Sequence, residues 1–365
     1  MGTLENYKKM SLQDESFVGA YLLTISTNEE KALNDFINNN KIDNDFFCYN
    51  WVKSFDTLKG FIGENCIVYP DRVIKLKDKE YLLLTEKVNG LFNNKDTLAW
   101  FRGLSIVEKY DIMLKYMDMF VSFHSSKDGS TDFSFVHHRI QPQNLFIKDE
   151  NKREVGVFLP SKLKTNNKRT SSGFPGDNFR YAAPENWNIE DVNTEILKEN
   201  DFKNIDKIFK GDIVSGVEGD VYSLAVTLMV LMSSEEKIFN KIDKSCFKND
   251  NYDTCLSNLS ENIFKVFKDQ RLDSLASPFT TATNSLPHKR YQSMHDFRKR
   301  VLFTFCTKMF NEKVEFGKSQ MAPTYVRNIN SIADPNINET QKEILNKVCI
   351  QEYDQKMTEP NRILI

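Results

Sequence analysis

A chain of 365 residues, 40% hydrophobic and 27% charged, is long enough for one large two-part domain or two medium ones. Its 49 Lys and Arg nearly balance its 51 Asp and Glu, for a formal net charge of -2. That leaves no global footprint for nucleic acid or an acidic membrane surface. The longest apolar run, residues 224–232, is too short to span a bilayer, and no charged–apolar–cleavage pattern opens the chain. Neither a transmembrane segment nor a signal peptide is therefore expected.

Residues 17–26 read as a strand, and residues 28–40 as a helix with an Asn28 cap and Leu33, Phe36 and Ile37 at helical spacing. Two β-rich runs, 72–76 and 81–85, flank a polar turn at 77–80, and Asn89-Gly90 then breaks the pattern. Beyond it the chain is mainly helical. Residues 106–123 form a long amphipathic helix with Ile106, Tyr110, Met113, Met117 and Phe120 along one face. Short strands follow at 145–147 and 155–158, joined by Asp149-Glu150-Asn151, and then a polar, basic loop over 162–176. Residues 221–232 predict a buried helix, 233–285 short helices and polar loops, and 295–310 a further helix. Residues 311–365 form an appendage with an apolar-leaning patch at 321–326 and an amphipathic helix at 339–355. Its stripe of Ile344, Val348 and Tyr353, with Leu345 and Cys349 beside them, must bury on the chain itself, in a second copy or on a partner. Strands first and helices after imply an α+β chain with two lobes. Cys48, Cys66, Cys246, Cys255, Cys306 and Cys349 are irregularly spaced, with no CxxC pair. They read as the reduced thiols of a cytosolic protein.

The run His137-His138-Arg139-Ile140-Gln141-Pro142-Gln143-Asn144-Leu145-Phe146-Ile147 resembles the catalytic loop of protein kinases, H-R-D-L-K-P-x-N-L-L-I, with Pro142 and Asn144 setting the register. Val155-Gly156-Val157-Phe158-Leu159-Pro160-Ser161 is placed like the strand leading into D-F-G. Tyr181-Ala182-Ala183-Pro184-Glu185 resembles the Y-x-A-P-E that closes an activation segment. Gly219-Asp220-Val221-Tyr222-Ser223-Leu224 resembles the start of the buried helix after it, and Arg290-Tyr291-Gln292-Ser293 the R-x-(S/T) near the end of the lobe. The five matches fall in family order, residues 81–90 look like the strand and the linker between the lobes, and the resemblance covers about residues 65–310. The resemblance implies a bilobal protein-kinase-like fold. Residues 1–90 would be a reduced, β-rich N-lobe and hinge, 91–310 a larger helical C-lobe, and 311–365 an extension.

The departures fall on the chemistry. Phosphoryl transfer needs metal-held phosphates, a positioned hydroxyl and a carboxylate to take its proton. With Pro142 and Asn144 aligned, the catalytic Asp position is Arg139; with one residue deleted, His138-Arg139 are the H-R pair and the Asp is missing. Both registers leave no base, since a guanidinium cannot accept a proton near neutral pH. The Lys that neutralises the transferring phosphate is Gln141, and the metal-binding Asp of D-F-G is Leu159, which offers no oxygen to a hard cation. The strand that bears the phosphate-binding Lys is identified with residues 20–25, where that position is Leu23. Lys75 belongs to the hairpin. Asn144 remains as a residual ligand candidate and equally as a residue bonding within its loop. Tyr21 and Phe146 stand where the family packs adenine, as ring-filled slot or ordinary core.

Scaffolding residues are retained. The resemblance implies that His137 keeps its place in the loop, that Asp220 bonds the loop backbone, and that Glu185 pairs with Arg290. Thr170, Ser171 and Ser172 stand in the activation-segment loop as candidate phosphate acceptors, or as a solvated face. The expectation is a cytoplasmic pseudokinase without catalytic residues, cofactor or magnesium, with weak or absent ATP binding. It would serve as a scaffold or allosteric partner of proteins, an active kinase or other enzyme among them. The alternatives are an atypical ATP-dependent transferase on the same fold and an ATP-binding sensor without turnover.

Overall fold

The alternating and β-branched runs of the first 90 residues pair as a sheet. In the computed structural model β1 (Gly19–Thr24), β3 (Arg72–Lys77) and β4 (Glu80–Thr85) form an antiparallel sheet in the order β1-β4-β3. A short β2 (Ile67–Val68) joins a second sheet, where it runs parallel to β7 (Glu154–Phe158), and β7 pairs antiparallel with β6 (Leu145–Asp149). Two-residue strands β5 (Phe135–Val136) and β8 (Lys164–Thr165) pair with each other. The structure describes residues 19–24, 67–68, 72–77, 80–85, 90–125, 135–137, 140–158, 164–165, 180–184, 216–243, 252–270, 272–310 and 337–352. The helix expected at 28–40 lies outside them.

The helices carry legible start signals. Asn94 caps α1 (Lys95–Gly103) by accepting from Asp96 N–H at 2.8 Å. Ser105 and Glu108 bond reciprocally at the start of α2 (Ile106–Ser125), as in a capping box. Every residue of α3 (Val217–Met232) except Glu218 is buried, the behaviour of a helix that is apolar on all sides. It begins four residues before the apolar run suggests, which puts Asp220 inside its first turn. After it come α4 (Glu235–Ile238), α5 (Tyr252–Asp269), α6 (Ala276–Ala282) and α7 (Met294–Met309), the last capped by Ser293.

The core is built where α2, α3, α6 and α7 meet. Tyr110 of α2 stacks on Phe305 of α7, centroids 4.4 Å apart and planes within 9°. Arg298 of α7 forks onto Asp118 of α2 at 2.6 and 2.7 Å. Arg102 of α1 donates to the last carbonyls of α3, Leu231 O at 3.3 Å and Val230 O at 3.4 Å. A cation at that terminus satisfies orphan acceptors and opposes the helix dipole. The chain is of mixed α and β architecture, with its described core in the helical part.

The C-terminal stripe packs on the chain's own core. A reciprocal Asn338–Gln341 capping box starts α8 (Glu339–Leu345), which continues as a π-helical turn over Asn346–Glu352. Ile344, Leu345, Val348 and Cys349 are buried, with α8 against α2 and the π turn against α7. The patch at 321–326 and Tyr353 lie outside the described residues. One expectation is corrected here: the cysteines are not all free thiols. Cys306 of α7 is bridged to Cys349 with a Cα–Cα distance of 5.4 Å, and Cys255 is also disulfide-bonded. Forty-three positions separate Cys306 from Cys349, so their meeting is a product of tertiary packing that spacing alone does not reveal.

Candidate functional site

The segment that resembles a catalytic loop is suspended from α3. Asp220, whose side chain is wholly buried, accepts at Oδ2 from His137 N–H at 2.6 Å and lies 2.9 Å from His124 Nε2. Two turns further along α3, Thr227 Oγ1 lies 2.7 Å from Ser223 O and 3.2 Å from Ile140 O. Positions 220 and 227 share a face of the helix, so one side of α3 reaches both ends of the stretch 137–140. Phe120 and Phe123 make ring contacts with both His124 and His137, which keeps water from the Asp220 carboxylate. A carboxylate buried so completely needs this pair of donors.

Past Ile140 the chain enters a 3₁₀ turn (Pro142–Asn144) whose Asn144 N–H donates to Gln141 O at 2.9 Å. Pro142 suits that turn because its φ is fixed and its missing N–H is not needed at a helix start. Gln141 and Asn144 are both buried, and Gln141 Oε1 has no hydrogen-bond partner among the described residues. β6 follows directly. Tyr116 of α2 donates its hydroxyl to Phe146 O at 2.7 Å, and burial pushes that hydroxyl well above its ordinary pKa, so it remains a donor.

The linker docks onto the same strand. Ile147 N–H donates to Gly90 O at 2.9 Å, and Phe92 N–H to Leu145 O at 3.1 Å. Gly90 has φ +71°, and a Cβ there would stand 2.4 Å from Ile147 O, so both backbone conformation and approach demand glycine. On β6 itself Phe146 pairs with Gly156 of β7. A Cβ on Gly156 would lie 2.2 Å from the Phe146 ring, so the ring rests directly over the glycine backbone. Phe146 is 4% exposed.

No family model matches the chain, and no curated protein does. Among solved structures the chain is similar to the PknI kinase domain of Mycobacterium tuberculosis, at 12% identity over 79% of this chain and 86% of that one, with a TM-score of 0.42. Another structure of the same domain gives 12% identity, 70% and 80% coverage and a TM-score of 0.40. The pseudokinase domain of BIR2, an immune regulator of the RLK/Pelle family, gives 14% identity over 73% of this chain and 72% of that one, with a TM-score of 0.39.

Of the residues singled out from the sequence, His137, Gln141, Asn144, Phe146 and Asp220 lie on one continuous path from α3 through the 3₁₀ turn to β6. Tyr21 and Leu23 are in β1, opposite Leu83 and Tyr81 of β4. Arg290 sends its guanidinium to Asn284 O at 2.6 Å, Ser285 O at 3.0 Å and Glu218 O at 3.5 Å, over the Tyr222 ring. Arg139, Leu159, Glu185, Thr170, Ser171 and Ser172 lie outside the described residues. Tyr181 donates to the Glu235 carboxylate of α4 and packs edge-on against Phe239. Burial and that bond push its hydroxyl far above the usual value.

Two participants escape sequence reasoning. His124 ends α2 four residues after Phe120, on the apolar stripe, where a polar side chain must find a buried partner. Gly156 sits in a short strand among β-branched neighbours, a position where glycine signals close approach of another group. Among the described residues no group of three or more His, Cys, Asp or Glu side chains is placed to hold a metal ion.

Proposed function

We propose that this chain is a catalytically inactive kinase-like protein that acts by binding another protein, as scaffold or as allosteric partner of an active kinase or other enzyme. The observation that carries the reading is the packing of Phe146 over Gly156. The resemblance puts adenine against this stretch of β6, and here an aromatic ring already occupies the face of the strand pair. Gln141 supports the same reading. It stands where the phosphate-neutralising Lys belongs, it carries no charge, and its side chain is buried. Asn144, the residual ligand candidate, is buried in its own 3₁₀ turn, and a neutral amide is a poor site for magnesium. Arg139 and Leu159 replace the two catalytic carboxylates in the sequence. Loss of a positioned base alone costs about 10²–10⁴ in rate.

Thermal shift with ATP, alone and with magnesium or manganese, tests this. A ligand that binds only the folded state raises the melting temperature, by about 2.7 kcal/mol of stabilisation at a hundred times Kd. The expected result is no shift at millimolar ATP and no transfer of radiolabelled phosphate to generic substrates or to the protein. A shift without turnover would establish the sensor instead. A metal-dependent shift with product, abolished by Asn144→Ala, would establish an atypical transferase.

A further inference from the structure

We propose that the Cys306–Cys349 bridge is a redox clasp that locks residues 337–352 as a strap across α2 and α7, and that its reduction releases the strap while the helical core stays folded. Besides the bridge, the packing of one apolar face holds the strap. α8 has seven residues and the π turn that continues it another seven, a length at which an isolated helix is marginal in water. A π turn is rare, and it persists where surrounding contacts impose it. Here those contacts are the inward side chains of Ile344, Leu345 and Val348 and the bridge at Cys349. The outer face, with Glu339, Glu343 and Lys347, is solvated. The anchor is of the opposite kind: Cys306 sits in the sixteen-residue α7, fixed by the Tyr110–Phe305 stack and the Arg298–Asp118 fork.

The chemistry is a thiol–disulfide exchange. A thiolate of a dithiol attacks one sulfur, the other leaves as a thiolate, and the second thiol of the reductant closes its own disulfide. The protein gains two electrons and two protons as Cys306 and Cys349 become thiols, and the dithiol is oxidised by the same two electrons. Both sulfur-bearing residues are wholly buried, so the reductant reaches them through opening motions of the strap. The strap is thus closed under oxidising conditions and free in a thiol-rich compartment.

The test uses the full chain with thiols blocked by alkylation at lysis. Peptide mapping is expected to recover the Cys306–Cys349 linked pair. Hydrogen exchange is then followed before and after dithiothreitol. Breaking a loop closed over 43 positions is expected to lower protection of the strap amides by roughly three orders of magnitude, while α2 and α3 keep theirs. Cys349→Ser is expected to show the same loss without reductant and no further strap response to it, which separates this bridge from the one at Cys255. Trypsin cutting at Lys347 should follow the same pattern. Free thiols at both positions in the alkylated sample would overturn the proposal. So would strap protection that survives reduction, or a loss that spreads to α2 and α3 in the reduced chain.

Discussion

Asp220 shows what a single side chain does here. It is removed from water, and its Oδ2 faces both the His137 amide and the His124 ring. Asp220→Ala takes the acceptor from two buried donors, and each buried donor left unsatisfied costs about 1–3 kcal/mol. Asp220→Asn keeps a carbonyl oxygen and should lose less. Urea unfolding of both variants measures the difference; equal losses would mean that the acceptor geometry contributes nothing. Gly156 supplies the second test. Its missing Cβ accommodates a buried ring, so Gly156→Ala should destabilise by about 1–3 kcal/mol through overpacking. Adding Phe146→Leu should recover part of that loss, because residues in contact are coupled. Simple additivity would mean that the ring can move aside freely. Phe146 was legible from the register of Pro142 and Asn144, since its place is two residues after the Asn. Gly156 and His124 were not, because their roles are defined by partners 10 and 96 positions away.

At the scale of elements, legibility follows length. The α2 stripe of Ile106, Tyr110, Met113, Met117 and Phe120 repeats over about four turns, and the helix spans Ile106–Ser125. The hairpin strands at 72–76 and 81–85 extend by one residue each, to Lys77 and from Glu80. Strands β2, β5 and β8 have two residues each and carry no period at all. The short α1 was absorbed into a general expectation of helix, although its Asn94 cap and Asp96 are ordinary start signals. The contact between α2 and α7 carries a prediction of its own. Tyr110 is fully buried against Phe305, yet its hydroxyl has no hydrogen-bond partner among the described residues. Burial also pushes that hydroxyl well above its ordinary pKa, so it stays neutral at any physiological pH. Tyr110→Phe removes an unsatisfied polar group and keeps the stack, so it should leave the protein unchanged or stabilise it by about 1 kcal/mol. Phe305→Ala deletes the other ring and should cost about 3–5 kcal/mol. Thermal and denaturant melts of the two variants should therefore move in opposite directions, or only the second should move. A large loss for Tyr110→Phe would reveal a hydroxyl partner that the packing of α2 and α7 does not provide.

At the scale of the whole molecule, the last 55 residues decide whether the chain is a core with an ornament or a core that needs its extension. Sequence periodicity marks a stripe that includes Ile344, Leu345 and Val348 as in want of a partner but does not name it, since the chain's own core, a second copy and another protein all bury the same stripe. The structure buries that face against α2 and α7 and ties it down at Cys349. Full burial of each such side chain contributes about 1.5–3 kcal/mol, so the three together stand for about 5–9 kcal/mol before the entropy of ordering is counted. A domain has only about 5–15 kcal/mol in total. Truncation after Phe310 should therefore do more than trim the chain. It uncovers the apolar surface of α2 and α7 on which Ile344, Leu345 and Val348 rest, and the shortened protein should keep its helical core but melt markedly lower and associate through that surface. Ile344→Asp in the full-length, oxidised chain isolates the packing from the bridge, since the disulfide remains while a charge enters the buried face. It should lower the melting temperature by several degrees, and less than the truncation does. A truncated chain that melts as the intact one does, at unchanged hydrodynamic size, would show that the extension rests on the core without supporting it.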